Sequence, residues 1–417
     1  MILAFTKRVV SNRVLHFVAC SLLVFLLPLL ILRARFQQVL RSFSHIEFEL
    51  LGHSVPLLPL VEVIVGVTLI FLIRRRITRK RVLAVLAIAA LFLFSWMVTD
   101  IYLDLSLYDI QANYHYLAYI VIVLMFFRAF AREGRPKHVL IYCAFATCLS
   151  ISVLDEGFQL VVSDRVFDLN DQAKDALGAV MGLIVVYFVL DRYGGIGFKA
   201  MPKGERRLAA HMRDPATALI SVVVFTLVFL TVSSLFTAPW YWHIVVLGTA
   251  LLFALTALVF YMTRLRTGRR IVLWAVVVLL MAQVVSLAVC WNRGIVMHNT
   301  WLTVYKGVPI PFCDVLVYPS GAARPVDKHH LSRREIHGVF MGYRPSIILI
   351  GANPYGDMST SIDARRGSFL FWNEPAREYV QIVVTSPDRA CALFNRLKQE
   401  KKNVMFALHT SCGGFFD

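Results

Sequence analysis

"LDEGFQLVVSDRVFDLNDQAKDALGAVMG", residues 154 to 182, crowds five acidic residues between Asp155 and Asp171 and then returns to a smooth apolar helical pattern. Its surroundings make this unusual. The chain has 417 residues, 58% of them hydrophobic and only 17% charged, which is not the balance of a soluble globular protein. Apolar runs long enough to cross about 30 Å of hydrocarbon lie near residues 14–33, 55–73, 82–99, 114–130, 138–154, 175–191, 216–236, 242–262 and 271–290. They predict a polytopic α-helical membrane protein of about nine spans. The first run follows Lys7, Arg8 and Arg13 like a signal peptide, but it is long and lacks a small-residue cleavage site, so it reads as a retained helix.

The net charge of +17 does not point to nucleic acid, because the basic residues are not spread over one face but cluster in a few loops. They fall in "RRRITRKR" (74–81), "RAFAREGRPK" (128–137), "KGERR" (203–207) and "RLRTGRR" (264–270), which the positive-inside rule places in the cytoplasm together with the N-terminus. The loops between them, including the acidic stretch and the aromatic Trp240, Tyr241 and Trp242, then face outward. The seven cysteines form no CxxC pair and no Cys/His cluster with zinc spacing, so neither a metal nor another cofactor is expected. Cys20, Cys143 and Cys148 read as small apolar fillers within spans, whereas the redox state of Cys290, Cys313, Cys391 and Cys412 depends on the side they occupy.

Beyond about residue 300 the pattern changes. "CDVLVYPSG", "PSIILIG", "YVQIVVTS" and "VMFALHTS" are short β-branched or apolar runs bounded by Gly, Pro and Ser, as strands are. "SPDRACALFNRLKQEKK" opens on Ser-Pro, carries apolar residues at helical spacing and ends basic, as a capped helix does. A soluble α/β domain over 300–417 follows.

Within the opening stretch, Asp171, Asp175, Gly178 and Gly182 are spaced four, three and four apart and share one helix face, carboxylates at the mouth and glycines deeper. Gly178 and Gly182 form a small-xxx-small seam for close helix packing. Asp155, Glu156 and Gln159 sit at the outer end of the preceding span, Arg165 and Asp168 in the connecting loop, and His115 at the start of the span before. Four elements thus deliver polar side chains to one depth. Charged groups there are costly and mark function or a mutually satisfied network that orients helices. Glu62, alone in the second span, has His53 as a nearby candidate partner, and its role stays open between function and structure. His409 and Cys412 end an apolar strand with no third group close in sequence, which argues against nucleophilic chemistry.

These positions resemble the VanZ-like family, which carries an acidic residue and a glutamine after its third core helix, a loop arginine, then an aspartate, an asparagine and two glycines entering the fourth. Here they are Glu156, Gln159, Arg165, Asp171, Asp175, Gly178 and Gly182, with His115 and Tyr119 at the start of the second core helix. The sequence departs at Asp175, where the family has asparagine, and at Gln111 and Ala112, where acidic and basic residues are usual. The tail segments are similar in order to the α/β domain shared by the adipogenesis-associated Mth-type proteins and the third assembly factor of mitochondrial complex I. That family's Gly-Thr-Gly turn is Gly351, Ala352 and Asn353 here.

The resulting organisation is N-terminal spans over 1–81, a VanZ-like four-helix unit over 82–192, a basic cytoplasmic linker over 193–215, three spans over 216–292 and the Mth-type domain over 300–417. The VanZ-like resemblance implies a multi-pass protein of the bacterial cytoplasmic (inner) membrane. It further implies a role in cell-envelope function or resistance to glycopeptides of the teicoplanin type, with His115, Glu156, Gln159, Arg165, Asp171 and Asp175 binding an envelope lipid or glycopeptide-related ligand. The tail resemblance implies an assembly or scaffold protein with a protein partner. A membrane enzyme on lipid headgroups or cell-wall precursors, with Glu156 or Asp171 as base and His115 as acid, is the third reading. No phosphate loop or nucleophile motif supports it.

Overall fold

The computed structural model describes residues 12–31, 46–50, 53–57, 78–99, 110–131, 134–159, 169–191, 193–196, 208–235, 242–264, 266–299, 301–311, 314–326, 330–331, 344–352, 359–360, 368–373 and 377–409. Helix α1 (Arg13–Ile31) starts at Asn12, whose side-chain oxygen accepts from the Val14 and Leu15 amides. Strands β1 (Glu47–Leu50) and β2 (His53–Pro56) pair antiparallel as a hairpin. Helix α2 (Arg79–Val98) is capped by Thr78. Helices α3 (Ile110–Phe130), α4 (Lys137–Gln159) and α5 (Leu169–Ile184) follow, α5 widening into a π-helical turn over Val185–Leu190. Asp214 caps the junction between α6 (Leu208–Arg213) and α7 (Pro215–Leu235), accepting from the Thr217 amide and hydroxyl at 2.9 Å. Helices α8 (Trp242–Arg264) and α9 (Arg266–Cys290) complete the series.

Among the described residues seven helices, α2 to α5 and α7 to α9, are long and apolar enough to cross a membrane. The first expected span is the helix α1, whose described apolar stretch, Arg13–Val24, is shorter. Most of the second expected span, with Glu62, lies outside the described residues, and its predicted beginning, Val55 and Pro56, pairs in the β1–β2 hairpin instead. Lipid is the natural solvent of these helices: Trp274, Leu279, Leu247 and Met97 are each about two-thirds exposed, 67%, 69%, 67% and 66%. Apolar patches of that extent are not sustained in water.

Two compact units emerge. The first comprises 1–99, 105–233 and 245–253. Its centre is α5, in which every residue from Gln172 to Ile184 is buried. At one end of this unit, basic side chains tie the helices together: Lys80 pairs with Asp191 at 3.1 Å, and Arg81 donates to the Val189 carbonyl at 2.8 Å. Lys137 donates to the Gly194 carbonyl at the same end. The start of α3, the end of α4 and the start of α5 therefore meet at the other end, with Asp155, Glu156 and Asp171 among their described residues.

The second unit comprises 100–104, 234–244 and 254–417. Beyond α9 a three-stranded antiparallel sheet forms from β3 (Ile295–His298), β4 (Leu302–Tyr305) and β5 (Val308–Pro311). A six-stranded mixed sheet and a short parallel pair follow, made from β6 (Asp314–Val317), β7 (Ala323–Val326), β8 (His330–Leu331), β9 (Ile347–Gly351), β10 (Ser359–Thr360), β11 (Ser368–Asn373), β12 (Glu378–Thr385) and β13 (Val404–Leu408). The large sheet has the order β11-β12-β9-β13-β6-β7, with β12, β9 and β13 parallel, while β8 pairs with β10. Helix α10 (Pro387–Gln399) carries the chain from β12 over β9 to β13. Alternate residues build two cores. Leu316, Ile348, Ile382 and Met405 fill one face, and Val317, Leu349, Phe394 and Phe406 fill the other, with the last two rings stacked at 4.6 Å. The four strands and the helix read from the tail sequence are β6, β9, β12, β13 and α10, so the chain contains an α/β domain as well as its apolar helices.

Candidate functional site

Asp175 lies six residues into α5 with its side chain 1% exposed, and both carboxylate oxygens are occupied. Oδ1 accepts from His115 Nδ1 of α3 at 2.8 Å, and Oδ2 accepts from Ser152 Oγ of α4 at 2.7 Å. The other imidazole nitrogen, Nε2, stands 3.8 Å from Asp171, whose second oxygen accepts from Lys174 Nζ at 3.1 Å. The result is a polar chain across three apolar helices, Ser152–Asp175–His115–Asp171–Lys174. It grades from dry to wet, because Ser152 is fully buried whereas the Asp171 side chain is 29% exposed.

Helix periodicity explains why these groups meet. Asp171 and Asp175 face α3 together with Gly178 and Gly182. A methyl group on Gly178 would stand 2.8 Å from the Tyr116 carbonyl oxygen, and one on Gly182 would stand 2.8 Å from Val123 Cβ. The two glycines therefore let the α5 and α3 backbones approach, which carries His115 to the aspartates. Ser152 and Glu156 are one turn apart on α4 and both are buried, so Glu156 continues the same face toward the C-terminal end of the helix.

Of the residues singled out from sequence, His115, Asp171 and Asp175 are in direct contact and Glu156 is buried on the adjoining helix face. Gln159 ends α4 with its side chain outside the described residues, and Arg165 lies outside them altogether. Ser152 and Lys174 were not singled out. Ser152 precedes Glu156 by four residues, and Lys174 stands between Asp171 and Asp175 in the sequence, so each carries a signal. Among the described residues no group of three or more His, Cys, Asp or Glu side chains is arranged to hold a metal ion.

No family model matches the chain, and no curated protein does. A solved structure bearing the name MT938 is similar over 29% of this chain and 99% of its own, at 16% identity. Its TM-score of 0.23 is too low to carry an argument.

The α/β domain holds a second buried pair. His409 Nδ1 lies 3.0 Å from Asp314 Oδ2, with both side chains at most 3% exposed. This is the partner that the sequence around His409 does not reveal; Cys412 lies outside the described residues. His298 Nδ1 meets the Thr303 hydroxyl at 2.9 Å nearby. Burial holds the His298 imidazole below its ordinary value, although Asp388 and Asp314 pull it up. Burial also pushes the Cys391 thiol up to about 12, which keeps it protonated and non-nucleophilic. Gly351 ends β9, where Leu408, Ala390 and Pro387 crowd it, so its missing side chain serves the packing of α10 on the sheet.

Proposed function

We propose that the chain of polar groups from Ser152 to Asp171, with Glu156 beside it, binds a polar ligand of the cell envelope at the outer side of the bacterial cytoplasmic membrane. On this reading the protein acts in envelope function or glycopeptide resistance, as the VanZ-like resemblance implies. The observation that carries the reading is the His115–Asp175 contact inside an apolar helical unit, since ionisable groups at that depth are retained chiefly where they serve a pathway or a ligand. The orientation in this reading is supported by the opposite end of the unit, where Lys80, Arg81 and Lys137 gather as basic residues of cytoplasmic loops do. The geometry favours binding over nucleophilic catalysis. Ser152 donates to the Asp175 carboxylate and not to His115, so the serine is not paired with the imidazole as a nucleophile–histidine pair requires.

The test is growth against teicoplanin in a strain lacking the gene, complemented by Asp171→Asn, Glu156→Gln or His115→Gln, with membrane abundance measured in parallel. Each change keeps approximate size while removing charge or a second donor. Lost complementation at wild-type abundance is the expected result. Full complementation by all three variants, with failure only on deletion of 302–417, would transfer the role to the C-terminal domain as an assembly or scaffold module.

A further inference from the structure

Helix α9 does not simply hand the chain to the α/β domain. The Lys306–Gly307 turn between β4 and β5 is seated on the helix, with the Gly307 carbonyl accepting from Ser286 Oγ at 2.8 Å and from Gln283 Nε2 at 3.1 Å. Gly307, at φ +84°, leaves no room for a side chain against the Ser286 carbonyl. Ser286 lies one turn before Cys290, where the apolar helix ends, so the turn sits at the level at which a spanning helix leaves hydrocarbon. Trp291, 64% exposed, marks the same level as interfacial tryptophans do.

Two cavities open beside this contact. One, of about 470 Å³, is apolar and is lined by Leu287 and Trp291 from the end of α9 and by Tyr305, Val308, Ile310 and Pro311 from the small sheet. The other, of about 410 Å³, is polar and is lined by Arg293, Asn292, Asn395, Lys398 and Gln399. Asn395 fixes its wall by exchanging hydrogen bonds with the Ile295 amide and carbonyl, both at 2.8 Å. Lys306 lines the apolar cavity and lies close enough to Lys398, in the polar one, to disfavour that residue's charge. Burial lowers the Lys398 pKa first, and Lys306 lowers it further. The carbonyl end of α10 opposes an anion here, but Arg293, Lys306 and Lys398 together outweigh its half charge.

We infer that this junction is a binding site for an anionic phospholipid of the surrounding bilayer, with its phosphate on Arg293 and Lys398 and an acyl chain in the apolar cavity beside Trp291. Basic clusters next to a membrane helix attract anionic headgroups, and an amphiphile is the ligand whose two halves match a charged cavity and an apolar one at the interface. The inference does not depend on the role of the His115 site.

Purified full-length protein in detergent, titrated with phosphatidylglycerol, phosphatidylcholine or inorganic phosphate, tests it through bound-lipid mass and melting temperature. Phosphatidylglycerol should be retained and should raise the melting temperature, whereas the other two should not. Arg293→Gln/Lys398→Gln should weaken retention by roughly thirtyfold, the effect of losing two cations near an anionic surface. If that variant fails to accumulate, Val308→Glu, on an exposed strand residue at the cavity mouth, should reduce retention by adding a carboxylate. Equal retention of phosphatidylcholine, equal stabilisation by inorganic phosphate, or unchanged retention in whichever variant folds would overturn the inference.

Discussion

Burying the Asp175 carboxylate among apolar helices costs several kcal/mol of hydration unless its oxygens are matched, and both are matched here, by His115 and by Ser152. The Ser152 hydroxyl is therefore a strong stabilising contact for its size. Ser152→Ala leaves one buried carboxylate oxygen without its donor, which should cost about 1–3 kcal/mol. Ser152→Thr, which keeps the hydroxyl, should recover most of that. Reversible unfolding in mixed detergent micelles measures both variants. A loss of less than about 0.5 kcal/mol in the alanine variant, within the range of an ordinary surface change, would mean that another group supplies the hydrogen bond.

At the scale of elements, the approach of α5 to α3 depends on the absence of side chains at Gly178 and Gly182. A Cβ at position 178 would meet the Tyr116 carbonyl oxygen at 2.8 Å and the Tyr116 Cα at 3.0 Å, backbone atoms that cannot rotate away. Gly178→Ala should cost roughly 1–3 kcal/mol as an overpacked contact and Gly178→Leu more, read as lowered membrane accumulation and melting temperature. Wild-type values for both would place the seam against lipid. This face was legible in the sequence because helix periodicity fixes which residues share it whatever surrounds them. Ser152 was not, because a serine in an apolar helix commonly bonds its own backbone, as Ser150 and Thr147 do here. In the tail, β6, β9, β12 and β13 announce themselves as apolar runs. The sequence of β5, "VPIP", reads as loop yet forms an edge strand, where prolines need no ladder donor. The His409–Asp314 pair spans 95 residues, and no local pattern carries a contact of that range.

Across the whole molecule, the helical unit and the α/β unit each have their own packed interior, so an acid-sensitive group in one should mark that one. His298 in the α/β unit is such a group. Burial lowers its pKa, Asp388 and Asp314 work against that, and His409 adds to the lowering. A folded value below the unfolded one, about 6.5, means that the unfolded chain binds more protons between the two. The contribution to stability is then complete above about pH 6.5 and is lost as pH falls through the folded value. Hydrogen exchange at pH 7.5 and 5.5, corrected for intrinsic rates, should show weaker protection at the lower pH in β3, β6 and β13. The interior of α5, residues 176–184, contains no ionisable side chain and should hold its protection. His298→Gln keeps a hydrogen-bonding side chain opposite Thr303 but cannot take up the proton, so it should flatten the acid loss in the strands. An acid loss of unchanged size in that variant would assign the sensitivity to another group and defeat the argument.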